Sequence, residues 1–320
     1  MSTVIQLALA VGEPSGRPAP VPLADAVVIA AVAEEAGVAA IRLVDGGGLD
    51  PTVVAAYLAG LHGGVGYIAE VPTTHNAPYN LARRVLSLDR ATGGRAGVAL
   101  RAGGGDEVSE AGVALRAGGG DEATAPDRDA SDPARRWTEY AHVLTRLWES
   151  FPRAALVGDQ EAGIVVKDAL IEPIGHEGAF YRVAGPLDGP SSVQGRPVLV
   201  ADLGALGVAA VAESADVVVA DREQVAGADA ALGEALRRAG RSRADVALLG
   251  RVEVGFDGPP AVDELRAWAG EHRLNGFELV PTGGAAAVVT ALRALVPRPA
   301  APPPTLRAAL GLPELVAVPA

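Results

Sequence analysis

Short apolar runs alternate along the chain with longer segments in which apolar residues recur every three to four positions. A short run bounded by turn residues is typical of a buried strand, and the longer spacing is typical of a helix with one buried face. The runs predict strands at residues 4–11, 39–44, 65–71, 96–100, 197–201, 217–220, 246–254 and 276–280. The helical spacing predicts helices at residues 23–36, 50–61, 79–89, 137–150 and 285–295.

This alternation of strands and helices indicates the α/β class, in which helices cover both sides of a parallel sheet. We expect a closed (β/α)8 TIM-type barrel, because the strand at 276–280 and the helix after it complete eight repeats. An open doubly wound sheet is the alternative, since strand counts taken from one sequence can be wrong by one or two elements.

Two segments interrupt the alternation. Residues 151–194 are rich in glycine and proline, and we interpret them as an excursion between barrel elements 4 and 5. The segment 96–107 recurs identically at 111–122, so we interpret residues 96–130 as a duplicated, glycine-rich surface insertion. A phosphate-binding loop is the alternative, although neither glycine run is followed by Lys-Ser or Lys-Thr. We therefore predict one barrel domain over 1–296 and a proline-rich C-terminal tail over 297–320.

Charge and cysteine content exclude several classes of function. The chain has 39 acidic and 27 basic residues and a net charge of -12, which disfavours binding to nucleic acid or to anionic membranes. It has no cysteine, which excludes disulfides, thiolate metal sites and cysteine nucleophiles. Paired histidines at metal-binding spacing are also absent, so we predict no metal site. Without a signal-peptide pattern or a membrane-length apolar run, we expect a cytoplasmic protein.

Polar residues gather where the second and third predicted strands end, and a TIM barrel carries its reacting groups at such strand ends. Asp45 follows the second strand directly, although Asp before Gly is also a common turn pair. A dense polar cluster follows the third strand and contains Thr73, Thr74, His75 and Asn76. Helix capping is the alternative interpretation of this cluster. His75 is the candidate catalytic residue, because imidazole can donate or accept a proton near neutral pH.

Several segments together resemble the luciferase-like flavin-dependent monooxygenases, most closely the nitrilotriacetate and dibenzothiophene-sulfone monooxygenase branch. The resemblance rests on residues 73–84, 87–89, 92–97, 148–150, 174–178, 181–187, 194–198 and 305–312. It implies a TIM-type barrel that takes reduced FMN from a separate flavin reductase and uses O2 to oxygenate a small organic molecule. The identity of that molecule is not indicated. We also expect a homo-oligomer.

The resemblance further implies roles for individual residues. Asp45 matches a flavin-contacting position, and the segment from Thr73 to Asn76, with His75 inside it, matches the segment that lines the flavin. Gly204 lies in the phosphate-loop region after the fifth strand.

Other positions depart from the family pattern. Ala130 and Ala134 stand where the family has a histidine and a tyrosine at the flavin, and Gly204-Ala205 replaces a pair of serines. These departures keep two alternatives open. One is a catalytically silent barrel that acts as a partner subunit, and the other is an oxidoreductase that uses the deazaflavin cofactor.

Overall fold

Eight parallel strands close into a barrel, which confirms the predicted fold class and excludes the open sheet. The computed structural model describes residues 3–13, 20–46, 48–74, 76–102, 132–255, 258, 260–296 and 303–315. The barrel strands are β1 (Val4–Ala10), β2 (Ala40–Val44), β3 (Gly66–Pro72), β4 (Ala96–Arg101), β5 (Val198–Asp202), β6 (Val217–Ala220), β7 (Ala247–Val254) and β8 (Gly276–Pro281). Each strand pairs with the next, and β8 pairs with β1. Every observed strand bound lies within one residue of the predicted bound.

Helices surround the barrel, and all five predicted helices are present. The helices are α1 (Leu23–Ala36), α2 (Pro51–Leu61), α3 (Pro78–Ala91), α4 (Pro133–Glu149), α5 (Leu203–Leu206), α6 (Val208–Ser214), α7 (Ala228–Arg238), α8 (Val262–His272), α9 (Ala285–Leu295) and α10 (Leu306–Ala309). Helix α2 begins where the Asp50 side chain accepts a hydrogen bond from the Thr52 N–H, with Pro51 in the first turn. Helix α1 ends at Gly37, whose φ of +86° is the left-handed conformation that favours glycine. No helix among the described residues is long and apolar enough to cross a membrane.

The segment between α4 and β5 is the predicted excursion. It carries two short antiparallel hairpins, one formed by Leu156–Asp159 with Ile164–Val166 and the other by His176–Glu177 with Arg182–Val183. The start of the first repeat copy forms β4 itself. The rest of the duplicated segment falls within residues 103–131, which lie outside the described residues.

The half of the barrel interior nearest the start of the strands is apolar. Its strand residues include Ala40, Ile68, Ala99, Val200, Val219 and Leu249, all buried in one cluster. Three leucines of the C-terminal segment, Leu306, Leu310 and Leu312, belong to the same cluster. The backbone N–H of Leu306 also bonds to the Gly94 carbonyl, just before β4. The C-terminal segment therefore closes the end of the barrel at which the strands begin.

Candidate functional site

A layer of charged residues lies inside the barrel, next to the apolar half of the interior and on the side toward the ends of the strands. Side chains alternate between the two faces of a strand, so the residue two positions after an inward apolar residue also points inward. On five strands that residue is charged, namely Arg42, Glu70, Arg101, Asp202 and Arg251. Asp221, which directly follows β6, occupies the equivalent position. Strands β1 and β8 add Gln6 and Glu278, which are register neighbours. This charged layer separates the apolar interior from the barrel end at which the strands finish.

Arg42 is the centre of the charged layer. Its guanidinium lies 2.7 Å from Glu70 Oε2, 2.6 Å from Asp202 Oδ2 and 3.3 Å from Glu278 Oε2. Burial by itself would lower the pKa of Arg42, but the surrounding carboxylates outweigh burial and raise the pKa well above its ordinary value. Arg42 is therefore a permanent buried cation that links its own strand, β2, to β3, β5 and β8 across the barrel interior.

Arg251 is the second cation of the layer. It lies 3.0 Å from Glu278 Oε1 and 2.7 Å from Asp221 Oδ1, and it also bonds to Asp202. Burial favours protonation of Asp202, but its bonds to Arg42 and its attraction to Arg42 and Arg251 hold the pKa of Asp202 below its ordinary value. Asp202 therefore stays ionised between the two cations.

A cavity of about 310 Å³ opens beside the ends of β2 and β3. Its lining is Asp45, Gly48, Leu49, Asp50, Pro51, Thr52, Glu70, Val71, Pro72, Asn76 and Arg84. Glu70 belongs to both the charged layer and the cavity, and burial raises its pKa although Arg42 partly opposes the rise. Arg101 joins the same region, 2.7 Å from Asp45 Oδ2 and 3.5 Å from Glu70 Oε1. The cavity thus combines carboxylates, an amide and a guanidinium in one small space.

Two of the predicted site residues, Asp45 and Asn76, line this cavity together. The Asn76 side-chain oxygen accepts a hydrogen bond from Arg84 Nη2 at 2.8 Å. The Asn76 backbone carbonyl accepts one from the Tyr140 hydroxyl at 2.9 Å, which ties the loop to α4. Asn76 is therefore held by Arg84 through its side chain and by Tyr140 through its backbone.

The other predicted residues occupy different surroundings. Thr73 is 2% exposed, and its hydroxyl has no hydrogen-bond partner among the described residues. Thr74 is half-buried at the same strand end, and His75 lies outside the described residues. Gly204 is exposed in α5, where a Cβ would lie 2.2 Å from Gln224 Nε2. It is not part of the cavity lining.

The charged layer is the part of the site that sequence reasoning missed. Arg42, Glu70 and Glu278 stand inside segments that the apolar pattern predicts only as buried strands. A charged residue in the middle of a buried strand needs a partner, because an unpaired buried charge is strongly unfavourable. The charged residues at these strand positions were therefore the feature of the sequence that could have indicated an ionic layer inside the barrel.

Comparisons with known proteins agree with this architecture. The family pattern described as luciferase-like monooxygenase matches residues 3–289. Nitrilotriacetate monooxygenase component A from Aminobacter aminovorans is 31% identical over 152 residues, which are 48% of this chain and 31% of that protein. A pristinamycin IIA synthase subunit from Streptomyces pristinaespiralis is 29% identical over 267 residues, covering 83% of this chain and 78% of that protein. The chain thus spans about a third of the first relative and most of the second.

Solved structures share the fold. DmoA from Hyphomicrobium sulfonivorans has a TM-score of 0.76 at 18% identity, covering 97% of this chain and 92% of that one. An F420-dependent secondary alcohol dehydrogenase has a TM-score of 0.62 at 14% identity, covering 92% and 98%. These likenesses concern the fold alone. Because the family pattern covers most of a chain whose eight strands close into the same barrel, the chain belongs to the luciferase-like monooxygenase family.

Proposed function

We propose that the chain is the oxygenase component of a two-component monooxygenase that takes reduced FMN from a separate reductase and oxygenates a small organic molecule. The observation that carries the proposal is the polar cavity at the ends of β2 and β3, in a chain of this family. Ligand sites of TIM barrels lie at this end of the strands. The relatives named as monooxygenases support the reaction class.

The groups around the cavity fit the polar edge of a flavin ring, which alternates carbonyl groups and N–H groups. Asp45 and Glu70 provide acceptors for N–H groups, and Arg84 provides donors for carbonyl oxygens. Asn76 can do both, because its amide carries a donor and an acceptor. The cavity volume of about 310 Å³ is at the lower end of the range for ligand pockets. The ring would therefore fit, with the ribityl phosphate extending out of the cavity.

The residues around the predicted phosphate position fit a phosphate group less well than the cavity residues fit the flavin ring. Gly204, the predicted phosphate-loop residue, follows the Asp202 carboxylate by two positions, and Gln224 fills the space beside it. This arrangement offers backbone and amide N–H groups next to a negative charge. We therefore propose that contacts to the ring provide most of the flavin affinity.

Bound reduced FMN would supply the electrons that activate O2. The chain's own residues would orient the ring and control protons beside it. Glu70, at the base of the cavity, would accept a hydrogen bond from an N–H group of the ring. Arg42 fixes its position through the 2.7 Å ion pair. His75, the proposed catalytic residue, stands between Thr74 and Asn76 in the sequence, and its imidazole would donate or accept a proton beside the ring.

An anaerobic titration with three cofactors tests the proposal. Purified protein is mixed with oxidised FMN, reduced FMN or reduced deazaflavin, and binding is followed by fluorescence or calorimetry. We expect saturable binding that favours reduced FMN. Saturable binding of reduced deazaflavin alone would instead assign the enzyme to that cofactor, an alternative supported by the fold shared with the F420-dependent dehydrogenase.

A second candidate function is that of a catalytically silent partner subunit. The relative that matches most of this chain is named as a subunit of a synthase. The charged groups at the barrel mouth also already pair with one another, as Asp45 does with Arg101 at 2.7 Å. Under this candidate, the same titration would give no saturable binding of any of the three cofactors.

A further inference from the structure

Two buried tyrosines bind the backbone that follows β3. The Tyr181 hydroxyl donates a hydrogen bond to the Thr73 carbonyl at 3.0 Å. The Tyr140 hydroxyl donates one to the Asn76 carbonyl at 2.9 Å. Tyr140 is fully buried, Tyr181 is 8% exposed, and their rings pack edge to face with centroids 5.2 Å apart. The two hydroxyls therefore hold the backbone just before Thr74 and again at Asn76, which lines the cavity.

A carboxylate on α4 holds the turn that carries Tyr181. Glu139, the neighbour of Tyr140 in α4, accepts hydrogen bonds at 2.8–3.1 Å from the backbone N–H groups of residues 179–181. Its carboxylate also lies 3.1 Å from His176 Nε2. Successive N–H groups directed at one carboxylate form a compact anion site, and such charge-assisted bonds are stronger than neutral ones. Helix α4 therefore holds the second hairpin of the excursion, and the turn of this hairpin presents Tyr181 to the end of β3.

We propose that Tyr140 and Tyr181 are positioning residues of the flavin site, and that Glu139 in turn positions Tyr181. The inference rests on the proposed function, in which Asn76 contacts the flavin ring. Neither tyrosine belongs to the described lining of the cavity, so each acts on a ligand through the backbone that it binds. The excursion thereby has a role in the site, because it supplies Tyr181 from a segment that is distant from β3 in the sequence.

The effect on affinity follows from preorganisation. A backbone that is already held in its binding conformation loses less conformational entropy when a ligand binds, so releasing it weakens binding. Tyr67 offers a matched control for the two hydroxyls. It is fully buried, and its hydroxyl donates to the His62 carbonyl at 2.8 Å, but this bond lies before β3 and not after it. Tyr67 therefore makes the same kind of bond at the opposite end of the same strand.

NMR relaxation without flavin tests whether the tyrosines hold the backbone. The bonded carbonyls of Thr73 and Asn76 share their peptide planes with the N–H groups of Thr74 and Ala77. We expect the order parameter of Thr74 to fall in Tyr181→Phe and that of Ala77 to fall in Tyr140→Phe, because each variant keeps the ring and loses the hydroxyl.

Tyr67→Phe should leave both order parameters at their wild-type values, although its melting temperature should fall by an amount similar to that of the other two variants. Unchanged order parameters in both Tyr140→Phe and Tyr181→Phe, or an equal fall in Tyr67→Phe, would overturn the proposal.

The affinity for reduced FMN tests the consequence for the site. Tyr140→Phe and Tyr181→Phe should each raise the dissociation constant by roughly threefold to tenfold, and Tyr67→Phe should leave it unchanged. Glu139→Gln should also raise it, because the change removes the charge that the three N–H groups share but keeps one acceptor oxygen. Wild-type affinity in all of these variants would overturn the proposal. A wild type that binds no flavin would contradict the proposed function alone, because the order parameters test the two tyrosines without flavin.

Discussion

Arg42 balances the charge inside the barrel. It contacts the carboxylates of Glu70, Asp202 and Glu278, all within 3.3 Å. Removing one partner from a buried ionic network leaves uncompensated charge, so we expect Arg42→Leu to lower the free energy of unfolding by about 3–5 kcal/mol. Urea denaturation at pH 7 measures this loss. The control Arg266→Leu, which removes an exposed ion pair to Asp263, should cost under about 1 kcal/mol. Similar small losses for both variants would contradict the central role of Arg42.

Asp89 gives the fold a distinct dependence on pH. One of its oxygens accepts hydrogen bonds from the Ala96 N–H and from Gln194 Nε2, yet burial raises its pKa to about 6. In the unfolded chain the pKa of this group is about 4, so the folded state binds the proton more tightly. The contribution of Asp89 to stability is therefore full below about pH 4 and is lost as the pH rises through about 6.

We expect this loss to reach roughly 2–3 kcal/mol between those two pH values. Asp89→Asn should remove it while keeping an oxygen for both donors. The measurement is the free energy of unfolding of both proteins at half-unit steps from pH 4 to pH 7. If the difference between the two proteins is the same at every pH, the pKa of Asp89 is not raised.

At the scale of elements, helix α10 closes the end of the barrel at which the strands begin. Leu306 is fully buried among strand residues of the apolar layer. We expect Leu306→Ala to lower the free energy of unfolding by about 2–5 kcal/mol, because it removes buried methyl groups and leaves a cavity. The same change at Leu315, which is 37% exposed, should have a much smaller effect on denaturant unfolding. Equal effects would mean that the C-terminal segment does not close the barrel.

The elements themselves were largely predictable from the sequence. Strands such as β6 are continuous apolar runs, and Asp50 and Pro51 mark the start of α2, so local chemistry fixes their bounds. The hairpins of the excursion were not predictable individually, because strands of two to four mostly exposed residues leave almost no periodic pattern. The charged layer depends on how Arg42 and Glu278 meet across the barrel, and this contact between distant residues has no local pattern.

At the scale of the whole molecule, the two ends of the barrel differ. The end at which the strands begin is closed by the C-terminal leucines, and the charged layer crosses the interior above them. The other end carries the cavity of about 310 Å³, with Asp45 and Asn76 in its lining. In the part of the chain that the structure describes, the end at which the strands finish is therefore the end that is open to a ligand. The polar residues that follow two of the predicted strands identified this end from the sequence. Which of those residues contact one another depends on the folded structure and could not be predicted from the sequence.

The affinity for reduced FMN of three proteins tests the proposed flavin site most directly: wild type, Asn76→Ala and Asn80→Ala. Asn76 lines the cavity, whereas Asn80 is an exposed residue of α3 outside it. Loss of one uncharged hydrogen bond, worth about 0.5–1.5 kcal/mol, should raise the dissociation constant of Asn76→Ala by roughly threefold to tenfold. The free energy of unfolding should change by less than about 1 kcal/mol. Asn80→Ala should bind like wild type. An Asn76→Ala protein that also binds like wild type, or a wild type with no saturable binding, would contradict a flavin site in this cavity.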